Sequence, residues 1–330
     1  MREKHETVRV GAIDVGSNSI RMLVADVPVN REGSSLVTVS RAGESCRLGR
    51  GLDRSGVIED QVAGRAAVLV SEFVRRARSL GAKRLLVAAT AALRSAENGA
   101  AVAGLIAKRS GVPVRILSGD DEARLVYQAV VIGLGAMAVR SPCVVFDLGG
   151  GSTEVVSGVG GEAGRWTSLP FGAVSLTERH LLSNPASPAE IGSLAGQVKS
   201  ELQRRCDAMP NETPLLAGVG GTVTVFAALD RGLTSYETAL IEGWTIELAR
   251  LEALADRIVK STEAERSTWP VMGQGRSDIV VAGAIAVRLM ARRFSSRGLV
   301  CSTQGLRYGL ARLAGREAPP PPEGAADVNS

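Results

Sequence analysis

The 330-residue sequence predicts an α/β protein of two similar domains that share a cleft. Three observations predict it. The length is too great for one ordinary core and suits two domains of about 150 residues each. Short apolar runs alternate with segments of helical periodicity, the pattern of a sheet flanked by helices. The opening strand–turn–strand pattern also returns about one domain length later.

The elements follow in order. Val8–Ile13 is expected as a buried strand, Asp14–Ser19 as a polar turn and Ile20–Val27 as the returning strand. Val37–Ser40 is a third strand. In Ile58–Leu80 the residues Val62, Ala66, Leu69, Phe73, Ala77 and Leu80 recur at steps of three and four, which predicts a helix closed by Gly81. Leu85–Ala89 is a buried strand, and a helix follows Asn98. Val114–Leu117 is a strand, after which Ser118-Gly119 opens a helix to about Leu134.

The pattern then repeats. A-I-D-V-G-S-N-S-I-R around Asp14 is matched by V-F-D-L-G-G-G-S-T-E around Asp147: strand, Asp, apolar residue, Gly, small residues, Ser, strand. Cys143–Phe146 and Thr153–Val159 are the second pair of strands. Helices are expected from Pro188 to about Met209, after Gly220-Gly221-Thr222, around Leu248, Leu251, Leu254 and Ile258, and from Ser277 to Phe294, with a strand at Leu215–Val219. The expected domains are 8–127 and 128–316, with a helix near 303–315 able to pack back on the first. Residues 317–330, with Pro319–Pro322, are expected as a disordered tail.

Composition narrows the chemistry. The two histidines, His5 and His180, are too few for a His-metal cluster, and His-based triads are all but excluded. Cys46, Cys143, Cys206 and Cys301 are scattered, without a C-x-x-C pair, which disfavours a zinc site or a disulfide framework. Aromatics at 3% argue against single-stranded nucleic-acid binding, which stacks bases. The net charge of +5 suits a polyanionic ligand or a merely basic surface. No signal-like or membrane-length apolar run is seen, so the expected location is the cytoplasm, with no membrane partner.

The repeated turn suits phosphate. Glycine lets backbone amides approach an anion without a Cβ clash. In the first turn Gly16, Ser17, Asn18 and Ser19 supply amides, hydroxyls and a carboxamide; in the second, Gly149, Gly150, Gly151, Ser152 and Thr153 do so. Asp14 and Asp147 would repel phosphate unless a cation intervened, so they are expected to hold a hydrated Mg²⁺ (or Mn²⁺). Gly220-Gly221-Thr222 opens a helix and is a third candidate clamp. Asp120, Asp121 and Glu122 could serve only to favour a helix N-terminus, or could include a general base for water. Arg94, placed at the end of a strand, is a bidentate phosphate ligand or a surface charge.

IDVGSNSIRMLVADV, ATAALRSAEN, SGDDEARLVYQAV, FDLGGGSTEVV and GVGGTVT, in this order, resemble the exopolyphosphatase/guanosine pentaphosphate phosphatase (Ppx/GppA) family of the actin-like superfamily. The resemblance runs from about Val8 to Gly309. It implies two actin-like (ribonuclease H-like) domains, a phosphate-filled cleft and a homodimer. It places the catalytic glutamate on Glu122, with Asp121 where the family has a first glutamate. It places acids for Mg²⁺ and water on Asp147 and Glu154, and the phosphate-binding arginine on Arg94. The late segment Ser302–Gly309 departs from the family's pattern, as does Arg276-Ser277-Asp278 mildly. The length suggests the short, two-domain form.

The expected reaction is release of terminal orthophosphate from inorganic polyphosphate, with Glu122 activating water. The alternative substrate is pppGpp, with Arg21 contacting either a longer chain or a guanosine end. A kinase-like phosphotransferase or a non-catalytic polyphosphate-binding regulator are the other classes weighed.

Overall fold

A computed structural model describes residues 6–29, 35–211, 213–272, 275–294 and 297–316. The expected tail, 317–330, and His5 lie outside them. The first half contains β1 (Thr7–Val15), β2 (Ser19–Pro28), β3 (Val37–Ser45), α1 (Leu52–Ser55), α2 (Asp60–Ser79), β4 (Arg84–Ala89), α3 (Ala91–Ser95), α4 (Gly99–Ser110), β5 (Val114–Ile116) and α5 (Gly119–Leu134). The second half contains α6 (Ala136–Val139), β6 (Cys143–Leu148), β7 (Thr153–Val159), β8 (Glu162–Leu169), α7 (Ala173–His180), α8 (Pro188–Cys206), β9 (Leu215–Val219), α9 (Gly221–Asp230), α10 (Thr238–Ile241), β10 (Thr245–Glu247), α11 (Leu248–Lys260), α12 (Glu263–Ser267), α13 (Val280–Phe294), β11 (Gly298–Cys301) and α14 (Leu306–Arg316).

The two sheets share a five-strand topology. The first has the order β3-β2-β1-β4-β5 and the second β10-β11-β9-β6-β7-β8. In each, an antiparallel three-strand meander is extended by two strands parallel to its first member, β4 and β5 in the first and β9 and β11 in the second, and the second sheet adds β10 antiparallel to β11. This is the actin-like arrangement. The inner parallel strands β4 and β9 are almost wholly apolar because both sheet faces are covered there.

Three cores hold the layers. α2 and α4 cover the outer face of the first sheet, where Phe73, Val74 and Ala77 meet Ile13, Met22 and Val87. α8, α9, α11 and α13 cover the outer face of the second sheet around Phe146, Phe226 and Phe294. Between the sheets lies a shared core, to which β1, β2, α5, β6, β9 and α14 all contribute. α14 packs on β1, β2 and β4, and against α5, which itself packs on β6, β7 and β8. Close approach explains two glycines of α14. A Cβ on Gly309 would lie 2.5 Å from Leu125 O, and one on Gly315 would lie 2.6 Å from Val27 Cγ1. Arg84 then donates to Gly315 O at 2.6 Å, a cation at a helix C-terminus.

Several expectations are corrected. The boundary at 127/128 falls inside α5, one unbroken helix. β3 continues to Ser45, because an edge strand alternates exposed and half-buried residues and so carries a weak apolar signal. Asp14 and Val15 end β1, and Ser19 begins β2, so the first turn is only Gly16–Asn18. α8 ends at Cys206 and α13 begins at Val280. β8, β10, β11 and α7 were not anticipated; β8 is solvent-facing over most of its length, and the others are short. Among the described residues no helix is long and apolar enough to cross a membrane.

Candidate active site

The two repeated turns meet tip to tip. Gly16 N–H donates to Ser19 O at 3.1 Å, and Gly149 N–H to Ser152 O at 3.0 Å, so both hairpins close alike. A Cβ on Gly150 would lie 3.0 Å from Ser17 Cβ, and one on Gly151 would lie 3.1 Å from Ser17 Oγ. The second tip is anchored from behind. Gly149 O accepts Ala173 N–H at 2.9 Å, and Gly150 O accepts Val174 N–H at 2.9 Å, both from the start of α7. Gly220 closes the floor with φ 117°, and any Cβ there would sit 2.5 Å from Leu148 O. It caps α9, whose first N–H groups bring partial positive charge to the cleft.

Of the anticipated phosphate ligands, Gly16, Ser17, Asn18, Ser19, Arg21, Gly149, Gly150, Gly151, Ser152, Gly220, Gly221 and Thr222 line one cavity with Asp14, Glu122 and Asp147. Thr153 does not. It is wholly buried and its hydroxyl donates to Phe171 O at 2.7 Å, so its role is structural. Arg94 is not at a strand end either. It lies in α3 and donates to Leu117 O at 2.9 Å and to Glu122 Oε2 at 3.0 Å, so it addresses the glutamate from behind the cavity.

The acids of the Ser118–Glu122 segment divide their roles. Ser118 caps α5 by accepting Asp121 N–H at 3.1 Å, and its hydroxyl donates to Asp121 Oδ2 at 2.8 Å. Asp120 and Asp121 face solvent. Glu122 alone turns inward and is 7% exposed. Burial, and then the Glu154 carboxylate, push its pKa well above the usual glutamate range, while Arg94 holds it down.

The repeat carries opposite charges at one position. Across the first hairpin Asp14 pairs with Arg21; across the second, Asp147 pairs with Glu154. Burial and Glu154 raise Asp147 to about 7, with Arg21 opposing. Asp14 is raised by burial against Arg21 and Arg307. Glu154 is also raised by burial, although Ser168 Oγ donates to it at 2.9 Å. Buried carboxylates with raised pKa values form a site that a cation would relieve. Glu154 stands behind the cavity wall. Among the described residues no three Asp, Glu, His or Cys side chains close into one metal-binding group. The donors fit a hydrated divalent ion held by one or two carboxylates, with waters and substrate oxygens completing its shell.

Two arginines were missed as site residues. Arg276 and Arg307 share a second cavity with Arg21, Asp14 and Asp147, opening from the first. Burial, then Arg21 and Arg307, lower Arg276 to about 10. Arg307 is lowered by burial and then by Arg21. Arg276 also lies over the start of α9, with Nε 3.1 Å from where a Gly221 Cβ would be. Like charges gathered at a helix N-terminus make sense around an anion. Their segments depart from the family pattern, and only the fold brings them beside Arg21.

The model of the Ppx/GppA phosphatase family matches residues 27–313. Exopolyphosphatase 2 of Mycobacterium tuberculosis is 32% identical over 318 residues, covering 93% of this chain and 99% of that protein. A solved exopolyphosphatase-like protein superposes with a TM-score of 0.86 at 28% identity, covering 93% of this chain and 97% of its own. The Aquifex aeolicus member of the Ppx/GppA family superposes with a TM-score of 0.77 at 25% identity, over the same shares.

Proposed function

The chain belongs to the Ppx/GppA phosphatase family and is a phosphoric anhydride hydrolase, and on that premise we propose that it releases terminal orthophosphate from linear inorganic polyphosphate. The observation that carries this reading is Glu122, a buried carboxylate of raised basicity in the same cavity as both glycine hairpins. The hairpin tips and the start of α9 grip the terminal phosphates. Glu122 orients a water and takes its proton as the water oxygen bonds to the terminal phosphorus. The anhydride P–O bond breaks, and its electron pair leaves with the shortened chain. Phosphoryl transfer is mostly positioning and electrostatics, which fixed amides and arginines supply. Mg²⁺, held by Asp14 and Asp147 with Glu154 behind, would supply charge neutralisation for the phosphate oxygens.

A second reading, hydrolysis of pppGpp to ppGpp, has one observation in its favour. Tyr236, about half exposed, lines the second cavity among Arg21, Arg276 and Arg307, where a base could stack. The test is phosphate release from long-chain polyphosphate and from pppGpp, with Mg²⁺, by wild type and Glu122→Gln. Release from polyphosphate that collapses in the variant supports the first reading. Release from pppGpp alone supports the second.

A further inference from the structure

A groove of about 860 Å³ runs between the 47–54 segment, α2 and α7. It meets the catalytic cavity at Asn18 and Ile279, which line both. Its acids are mostly spent. Asp278 pairs with Arg47 at 3.0 Å, and Asp53 with Arg179 at 2.5 Å. The Glu178 carboxylate accepts Gly51 N–H at 3.0 Å. Arg50, Arg54 and Arg65 are exposed and form no ion pair among the described residues; of the groove acids, Glu59 and Glu178 form none among them either, and the Glu178 carboxylate is engaged by the Gly51 N–H.

The groove is fixed to the phosphate turn. Cys46 and Arg47 both donate backbone N–H to Asn18 O at 2.9 Å. Arg47 is held at φ 56°, a left-handed conformation uncommon outside glycine. The wall that carries the arginines is thus positioned by the residue that faces the cleft.

We propose that this groove is a second anion site, which holds the trailing segment of a long linear polyphosphate while its end is cleaved; this rests on the exopolyphosphatase reading above. Arginine forks match phosphate oxygens bidentately and sequence-independently. Among the described residues no aromatic side chain lines the groove, so they offer no stacking platform for a nucleoside. A charge-dense chain of repeating phosphates satisfies the site, and a compact nucleotide does not.

The test is the triple variant Arg50→Gln, Arg54→Gln, Arg65→Gln, whose side chains are exposed and outside the catalytic machinery. Hydrolysis of long-chain polyphosphate, tripolyphosphate and pppGpp is compared with wild type, together with calorimetric binding of long-chain polyphosphate. The expected result is a KM and a Kd for long chains raised about tenfold, with tripolyphosphate and pppGpp kinetics within about twofold. Unchanged long-chain values, or an equal rise for all three substrates, overturn the groove. A wild type that releases no phosphate from any chain length overturns the enzymatic reading instead; a variant Kd still raised would leave the groove standing.

Discussion

The Arg94 guanidinium donates to Glu122 at 3.0 Å, and the same nitrogen donates to Leu117 O at 2.9 Å. α3 and the strand-to-helix turn before α5 are thereby tied to one carboxylate. Arg94 sets both the direction and the basicity of Glu122, and the first two expectations turn on this pair.

Glu122→Gln keeps the shape of the side chain and removes the base. The expected loss in kcat is ~100- to 10,000-fold, with KM little changed. Steady-state phosphate release checks it. A variant within about threefold of wild type would remove Glu122 from proton transfer.

Arg94→Met removes the charge that holds the Glu122 pKa down. The acid limb of the kcat profile should move to higher pH, with a lower plateau, and Arg94→Lys should restore part of the limb's position. A plain phosphate ligand would raise KM and leave the limb in place.

Asp147 shows how stability depends on pH. Its pKa rises from 3.8 in the unfolded chain to about 7 in the fold, so the folded protein keeps a proton that the unfolded chain has lost. Stability should therefore fall as pH climbs from about 4 to about 7, by a few kcal/mol at most. Glu122, Asp14 and Glu154 are raised as well and act in the same direction. Metal-free Tm should be higher at pH 5 than at pH 8, and Mg²⁺ should restore it mainly at pH 8. Asp147→Asn should flatten the slope and blunt the Mg²⁺ response. A slope unchanged in that variant contradicts the assignment.

Arg276→Gln separates stability from binding. Arg276 is half-buried and repelled by Arg21 and Arg307, so its removal should raise the Tm of the unliganded protein. The KM for substrate should rise about tenfold. A lowered Tm with unchanged KM would make Arg276 a structural residue.

The fold was legible where periodicity and repetition were strong. The paired motifs at Asp14 and Asp147 announced two equivalent hairpins, and they do close with the same hydrogen bond. Thr153 shows the limit of motif reading. Alternation along β7 turns its side chain toward Phe171 rather than into the cavity, and a residue type alone does not disclose that direction. Arg94 was placed at a strand end because Thr90–Arg94 continues an apolar run; the five-residue α3 is too short to show a helical period. Arg276 and Arg307 were hidden for another reason. Their grouping with Arg21 depends on contacts across the whole chain, which local pattern does not carry.

α14 lies on β1 and β2, strands from the opposite end of the described chain. During synthesis, Thr7–Val15 and Ser19–Pro28 leave the ribosome long before Leu306–Arg316 do. One face of the first sheet then waits, apolar and uncovered, through translation of the entire second half. The N-terminal half should therefore depend on chaperones during synthesis, and truncation before Leu306 should yield insoluble protein even though every residue of the first sheet is present.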